Sequence, residues 1–339
     1  MTFLGVDAGT SVVKAVVFDD DGSALAVAGR PLGLAHGPGG SVEQDVEEVL
    51  AGIEAVTAEV LAQVDGPPES VAVTGQGDGC WITDAEHRAV RPALSWMDGR
   101  AAELLAGWTA SGVTEQVFRH NGCAMFPGAP AALLAWLDRH EPDALDRAAT
   151  AGYCKDALFA RLTGVRATDP SDSSMPLGDG TGTAYSEPVL AATGLTHRRD
   201  LLAPIIAPLP VAELTGAGAQ VLGLPAGTPV TSGPFDFPAC AAGGGVAEIG
   251  DALLIVGTTL GAMVHTDHLE TAGEPAGFSV ATGEPGRWLR AMPAMVGTAS
   301  LQWLLETLGL GVEAIDPALE ASPDERGDHL NSRLSDEFD

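Results

Sequence analysis

Three β-type runs precede anything helical, and that order limits the folds open to this chain more than any other feature. Phe3 to Asp7, Val12 to Phe18 and Ala24 to Ala28 are largely β-branched, aromatic or small. They are separated by the small-residue turn Gly9-Thr10-Ser11 and by Asp19-Asp20-Asp21-Gly22, so they read as a three-stranded meander. Ser41-Val42-Glu43-Gln44 then has capping-box spacing, and Val46, Val49, Leu50, Ile53, Val60, Leu61 and Val64 fall on one helical face. After the turn Gly66-Pro67-Pro68, a short buried strand from Ser70 to Thr74 runs into GQGDG. A simple dinucleotide-binding unit alternates strand and helix from its start, so the order β-β-β-α-β excludes it.

The middle of the chain is helical, with LLAWLDRH and KDALFARLTG as short amphipathic segments. Residues 165 to 190 are rich in Asp, Ser, Thr and Gly and read as a long surface excursion. The strand pattern returns after Leu224-Pro225-Ala226-Gly227 with VTSGPFDFPAC and then GDALLIVGTTLGAMVH, which places a domain boundary near residue 225. The reading is therefore a first domain over 1–225, part of a second over 226–312, and an acidic tail over 313–339 that adds little to a core.

Charge narrows the ligands. Lys and Arg number 17 against 46 Asp and Glu, a net charge of −29, which argues against nucleic acid or an anionic membrane as partner. A polyanion would have to be held by local devices: backbone N–H groups, hydroxyls or a metal ion. Two strand, Gly-Thr turn, strand units have that design, VDAGTSVVKAV and LLIVGTTLGAMV. Only Lys14 and Lys155 are lysines, and Lys14 closely follows the first of these turns. Neither lysine is followed by Ser or Thr, so there is no P-loop, and GQGDGC and GDGTGT lack dinucleotide-fingerprint spacing.

The cysteines at 80, 123, 154 and 240 form no C-x-x-C pair, which favours reduced thiols in a cytoplasmic protein. The amino-terminal run lacks a basic region and is interrupted by Asp7, so it does not read as a signal peptide. The stretch from Ala252 to Val264 is too short to span a bilayer. His36, His87, His120, His140 and the other histidines show no partner spacing and read as surface residues; no G-x-S-x-G is present.

Seven stretches, taken in order, resemble the FGGY carbohydrate kinase family: DAGTSVVK at 7–14, EQD at 43–45, GQGDG at 75–79, WMDGRA at 96–101, KDALFARLTG at 155–164, SGPFDFPAC at 232–240 and VGTTLG at 256–261. The resemblance implies an α/β, actin-like ATPase fold of the ribonuclease-H-like type. ATP and a sugar or polyol would meet between its two domains.

It further implies roles for individual residues. Asp236 is the general base, and Asp7 helps hold Mg²⁺. Gly9, Thr10, Ser11 and Lys14 line the first phosphate loop, with Gly257, Thr258 and Thr259 on the second. Gln76, Gly77 and Asp78 touch the substrate, as does Asp236, and Phe126 walls the pocket. Many ketopentose kinases of the family carry Met-His where this chain has Gly77-Asp78. GQGDG with SWMDGRA is more similar to the erythritol and polyol kinases.

The resemblance stops after WLLETLGL, where family members continue through a glycine-rich adenosine segment, so the second domain is expected to be incomplete. Two functions follow: a kinase for an erythritol-like polyol or a ketopentose, with a homodimer left open, or a non-catalytic remnant that binds a sugar or a partner.

Overall fold

The computed structural model describes residues 1–256, 260–294, 297–312 and 315. It divides into two compact units, Met1–Ala252 with Met263–Ala291, and Leu253–Ala262 with Met292–Asp339.

The first unit is organised by a six-stranded sheet. Its strands run in the order Val211–Glu213, Pro229–Ser232, Ser70–Gly75, β1 (Thr2–Ala8), β2 (Val12–Asp19) and β3 (Ala24–Pro31). The expected meander is present: β1 pairs antiparallel with β2, Val6 opposite Ala15, and β2 pairs antiparallel with β3, Ala15 opposite Ala28. Strand Ser70–Gly75 is parallel to β1, and Pro229–Ser232 is parallel to Ser70–Gly75. An antiparallel triplet followed by two parallel strands is the ribonuclease-H-like arrangement.

Alternation sorts the side chains of this sheet. Leu4, Val6, Ala8, Val13, Ala15 and Val17 point to one face, where they pack with Val49, Ile53 and Val56 of helix α1 (Val46–Leu61). Asp7 and Lys14, one step out of phase, face each other across the ladder on the other side.

Four expectations need correction. Ser41 is not the cap of α1: Val42–Gln44 is a short strand, and Asp45 caps the helix by accepting N–H bonds from Glu47 (2.8 Å) and Glu48 (3.3 Å). The sequence KDALFARLTG is not amphipathic. Its helix, Cys154–Thr163, buries nine of its ten residues, Lys155 and Asp156 among them.

Residues 167–178 are buried rather than a surface excursion, with part of their polar groups hydrogen-bonded locally. Asp169 Oδ2 accepts from Ser171 N (2.9 Å), Ser174 Oγ donates to Ser171 O (2.8 Å), and Ser173 Oγ donates to Gly182 O (3.1 Å). Finally, His265 is buried, not exposed: strand alternation turns Gly261, Met263 and His265 to the same side.

The second unit looks different. The described side chains of Leu253–Val256 and of helix Thr298–Thr307 include none that is buried, and Leu254, Val256 and Trp303 are each more than 60% exposed. Among the described residues, no helix is long and apolar enough to cross a membrane.

Candidate active site

Three parallel strands end on one edge of the sheet, and each delivers part of the site. β1 ends at Asp7-Ala8, Ser70–Gly75 leads into Gln76-Gly77-Asp78, and Pro229–Ser232 leads through Gly233-Pro234-Phe235 to Asp236. The carboxyl ends of parallel strands are where open α/β sheets present ligand groups, because the ladder stops and the chain must turn.

Gln76 continues the ladder, its N–H donating to Ala8 O at 3.0 Å, while its buried side chain joins a network. Thr10 Oγ1 donates to Gln76 Oε1 (3.2 Å) and accepts from Trp96 Nε1 (2.8 Å). Gln76 Nε2 donates to Gln44 Oε1 (2.6 Å), and Gln44 Nε2 donates to Thr10 O (3.0 Å). The Thr10 hydroxyl is thus committed to shaping the turn, leaving Ser11 and Lys14 as its exposed groups. Gly9 allows the turn to close, since a Cβ there would lie 2.9 Å from Val12 O.

Gly77 admits no side chain: a Cβ would meet the Phe235 ring at 2.4 Å. Asp78 holds a left-handed backbone, φ 54°, a strained conformation that Asp tolerates better than most residues and that collects at functional sites. Its Oδ1 is buried without a hydrogen-bond partner.

Asp236 starts the helix Asp236–Gly243, and the backbone N–H groups of Phe237 and Gly77 favour the ionised form of its carboxylate. The corner before it is fixed: Thr74 Oγ1 donates to Pro234 O (2.7 Å), and Phe235 N donates to Ser171 Oγ (3.2 Å).

The three acids influence each other. Burial, reinforced by the Asp236 charge, pushes Asp78 up to about 7. Burial and the Asp7 charge push Asp236 to about 7 against the pull of its two N–H donors. Asp7 is raised by burial, with Lys14 opposing, and its Oδ1 also lacks a partner. Such a set titrates as a group rather than as independent sites.

The structure therefore brings Asp7, Gln76, Gly77, Asp78 and Asp236 together. Phe126 lies one loop away: its ring packs at 6.1 Å on Phe278, while Gly79 N donates to Gly128 O (3.1 Å) and joins the two loops. Gly257, Thr258 and Thr259 lie outside the described residues, as does the tail beyond 312 except Ile315.

Gln44, Trp96 and Ser171 were missed as contributors to the site. The motifs EQD and WMDGRA contained the first two, and their jobs are now visible. Glu43 pairs with Arg91 and with Arg100 (2.7 Å), Gln44 ties down Thr10, and Asp45 caps α1. Asp98 Oδ2 accepts from Val42 N (2.9 Å) and binds Arg100 (2.7 Å). Ser171 sits in a stretch whose composition gave no sign of burial.

Gly77→Ala should cost about 1–3 kcal/mol, the usual penalty of overpacking, by pushing on the Phe235 ring. The check is the urea midpoint at constant slope; an unchanged midpoint would show that the ring yields freely.

This sheet, with a carboxylate cluster at its carboxyl edge, defines an actin-like fold of the sugar-kinase type. The model of the FGGY family of carbohydrate kinases, N-terminal domain, matches residues 2–243, and the chain belongs to that family. It is 34% identical over 313 residues to the erythritol kinase of Brucella abortus, covering 89% of this chain and 60% of that protein. It is 29% identical over 315 residues to the xylulose kinase of Escherichia coli, covering 91% of this chain and 63% of that protein.

The crystal structure of ligand-bound xylulose kinase from Lactobacillus acidophilus shares the fold, with a TM-score of 0.89 at 20% identity, over 96% of this chain and 67% of that one. The chain thus spans about three fifths of the length of the curated relatives it matches. The sparse burial in its second unit is consistent with a second domain of which only part is present.

Proposed function

We propose that this chain carries the substrate site and general base of an ATP-dependent kinase acting on a hydroxyl of a small polyol. One observation carries the reading: Asp236, at the end of the strand Pro229–Ser232, shares a sheet edge with the unpartnered, buried Oδ1 of Asp78. In phosphoryl transfer the protein supplies position and charge rather than covalent chemistry. Asp236 orients the substrate hydroxyl and accepts its proton, and a pKa near 7 suits that task near neutral pH.

Asp78 sets the preference for a polyol. Above about pH 7 its carboxylate accepts hydrogen bonds and cannot donate, so in that range it matches an O–H, whereas a ketose carbonyl offers only another acceptor. Gln76, already bonded to Gln44 and Thr10, fixes the loop rather than reaching freely toward the sugar.

The orphaned Oδ1 of Asp7 fits a role at Mg²⁺ on the ATP phosphates. The ion, when bound, would neutralise charge developing on the transferring phosphoryl group. Among the described residues no group of three or more His, Cys, Asp or Glu is arranged to hold a metal, so the phosphate oxygens would supply much of its coordination. Ser11 and Lys14, both exposed, would meet the phosphates. A division near residue 225 would separate the GQGDG loop from Asp236, which the unit Met1–Ala252 holds together. The four unpaired cysteines suit a cytoplasmic setting.

The second reading, a sugar-binding remnant without turnover, is favoured by the lack of buried side chains in Leu253–Val256 and Thr298–Thr307. The deciding assay is ADP release with Mg-ATP across tetritols, pentitols and ketoses, with calorimetric binding of the same compounds in parallel. Release with a polyol, lost in Asp236→Ala, supports the kinase. Binding without release supports the remnant, and neither would remove both readings.

A further inference from the structure

Lys155 has no part in the chemistry above, yet it is fully buried at 0% exposure in the first turn of Cys154–Thr163. Its Nζ lies 2.8 Å from Asp156 Oδ1, 2.8 Å from Asp169 Oδ1 and 3.0 Å from Asp172 Oδ2, and it donates to Ser232 Oγ at 3.5 Å. Burying an amine and three carboxylates is expensive, and an apolar replacement of similar volume would often serve stability as well. The cluster therefore calls for a reason beyond packing.

Its connections supply one. Asp169 caps the turn Pro170–Ser173, its Oδ2 accepting from Ser171 N (2.9 Å) and its Oδ1 from Asp172 N (3.4 Å). From that turn Ser171 Oγ accepts the N–H of Phe235, the residue immediately before Asp236 (3.2 Å). Ser232, the last residue of the strand leading to Asp236, is the fourth partner of Lys155. The amine thus gathers three elements distant in sequence onto one point directly behind the Asp236 corner. The three neighbouring acids hold the amine well above its usual range despite burial, so it stays charged at every working pH.

We propose that Lys155 is a positioning residue for Asp236: through Asp169 and Ser171 on one side and Ser232 on the other, it fixes the Ser232–Asp236 corner. The inference rests on Asp236 being the base, but its structural half is independent of turnover. Amide exchange can be read on the chain whether or not it is active.

Two variants test it. Lys155→Met removes the cation but leaves three carboxylates facing one another, which endangers folding itself. Ser171→Ala keeps the ion cluster whole and deletes only the acceptor of the Phe235 N–H. In Ser171→Ala, exchange at Phe235 should rise by about tenfold, the worth of one buried hydrogen bond, while Val73 and Val230 in the neighbouring strands keep their protection. Where the chain turns over, kcat should fall by a similar factor with the KM for polyol within twofold, whereas a merely structural defect would lower the amount of active protein and loosen all three amides together.

A folded Lys155→Met should show the same local pattern. Exchange at Phe235 within twofold of wild type in Ser171→Ala, or equal loosening at Val73 and Val230, would overturn the proposal. If wild-type protein releases no ADP, the kinase reading fails while the exchange comparison still decides this one.

Discussion

Asp236→Ala is expected to lower kcat by about 10²- to 10⁴-fold in the active enzyme, the range a positioned general base contributes. The loss should fall on kcat more than on KM, because the carboxylate's proton-accepting role is exercised during transfer. The pH profile adds a second signature. As the proposed base Asp236 works ionised, and burial and the Asp7 charge push its pKa up to about 7, so kcat/KM of the wild type should drop tenfold per unit below about pH 7 and level off above it. Near wild-type turnover in Asp236→Ala would remove the mechanism; a profile flat down to pH 5 would show that the Asp7 charge and burial do not hold the proton on.

Asp78→Asn should make the protein more stable, and increasingly so as pH rises to neutrality. The Asp78 carboxyl has a pKa of about 7 in the folded chain against 3.8 as its ordinary value, so the folded state binds the proton more tightly. Between those values the unfolded state holds fewer protons, and stability falls as pH rises; above about 7 the penalty is complete. Asparagine carries no charge to desolvate and tolerates the left-handed backbone that Asp78 occupies. The gain at pH 8.5 should be about 4 kcal/mol, and smaller at pH 5.5. Urea midpoints at the two pH values measure it. An equal gain at both, or a loss, would mean that the buried carboxylate finds a partner in solution.

The same substitution should also weaken polyol binding, so stability and recognition move in opposite directions at one residue. That opposition is the mark of a site kept for function rather than for folding.

The parts legible in the sequence were those with local causes. The alternation in β1 to β3 and the glycines around Asp78 are written into consecutive residues. Asp236 was reached through the family resemblance of SGPFDFPAC, not from its local pattern alone. What stayed hidden depended on partners far along the chain. Residues 167–178 have the composition of a loop, yet they are buried, with part of their polar groups hydrogen-bonded locally. Lys155 looked like the polar side of an amphipathic helix until Asp169 and Asp172 came round to meet it. Gln44 sat in a motif without a task until Thr10, in the turn after β1, and Gln76, just past the strand Ser70–Gly75, closed on it.

The burial of Lys155 also makes this chain a simple counter of its own folding. Apart from Lys14 its other cationic side chains are fifteen arginines, and arginine does not react with common acylating reagents. A folded molecule consequently presents Lys14 and the amino terminus to an activated ester, while an opened one adds a third amine. Intact mass after a brief pulse of reagent would then report, molecule by molecule, whether the core behind Asp236 was closed.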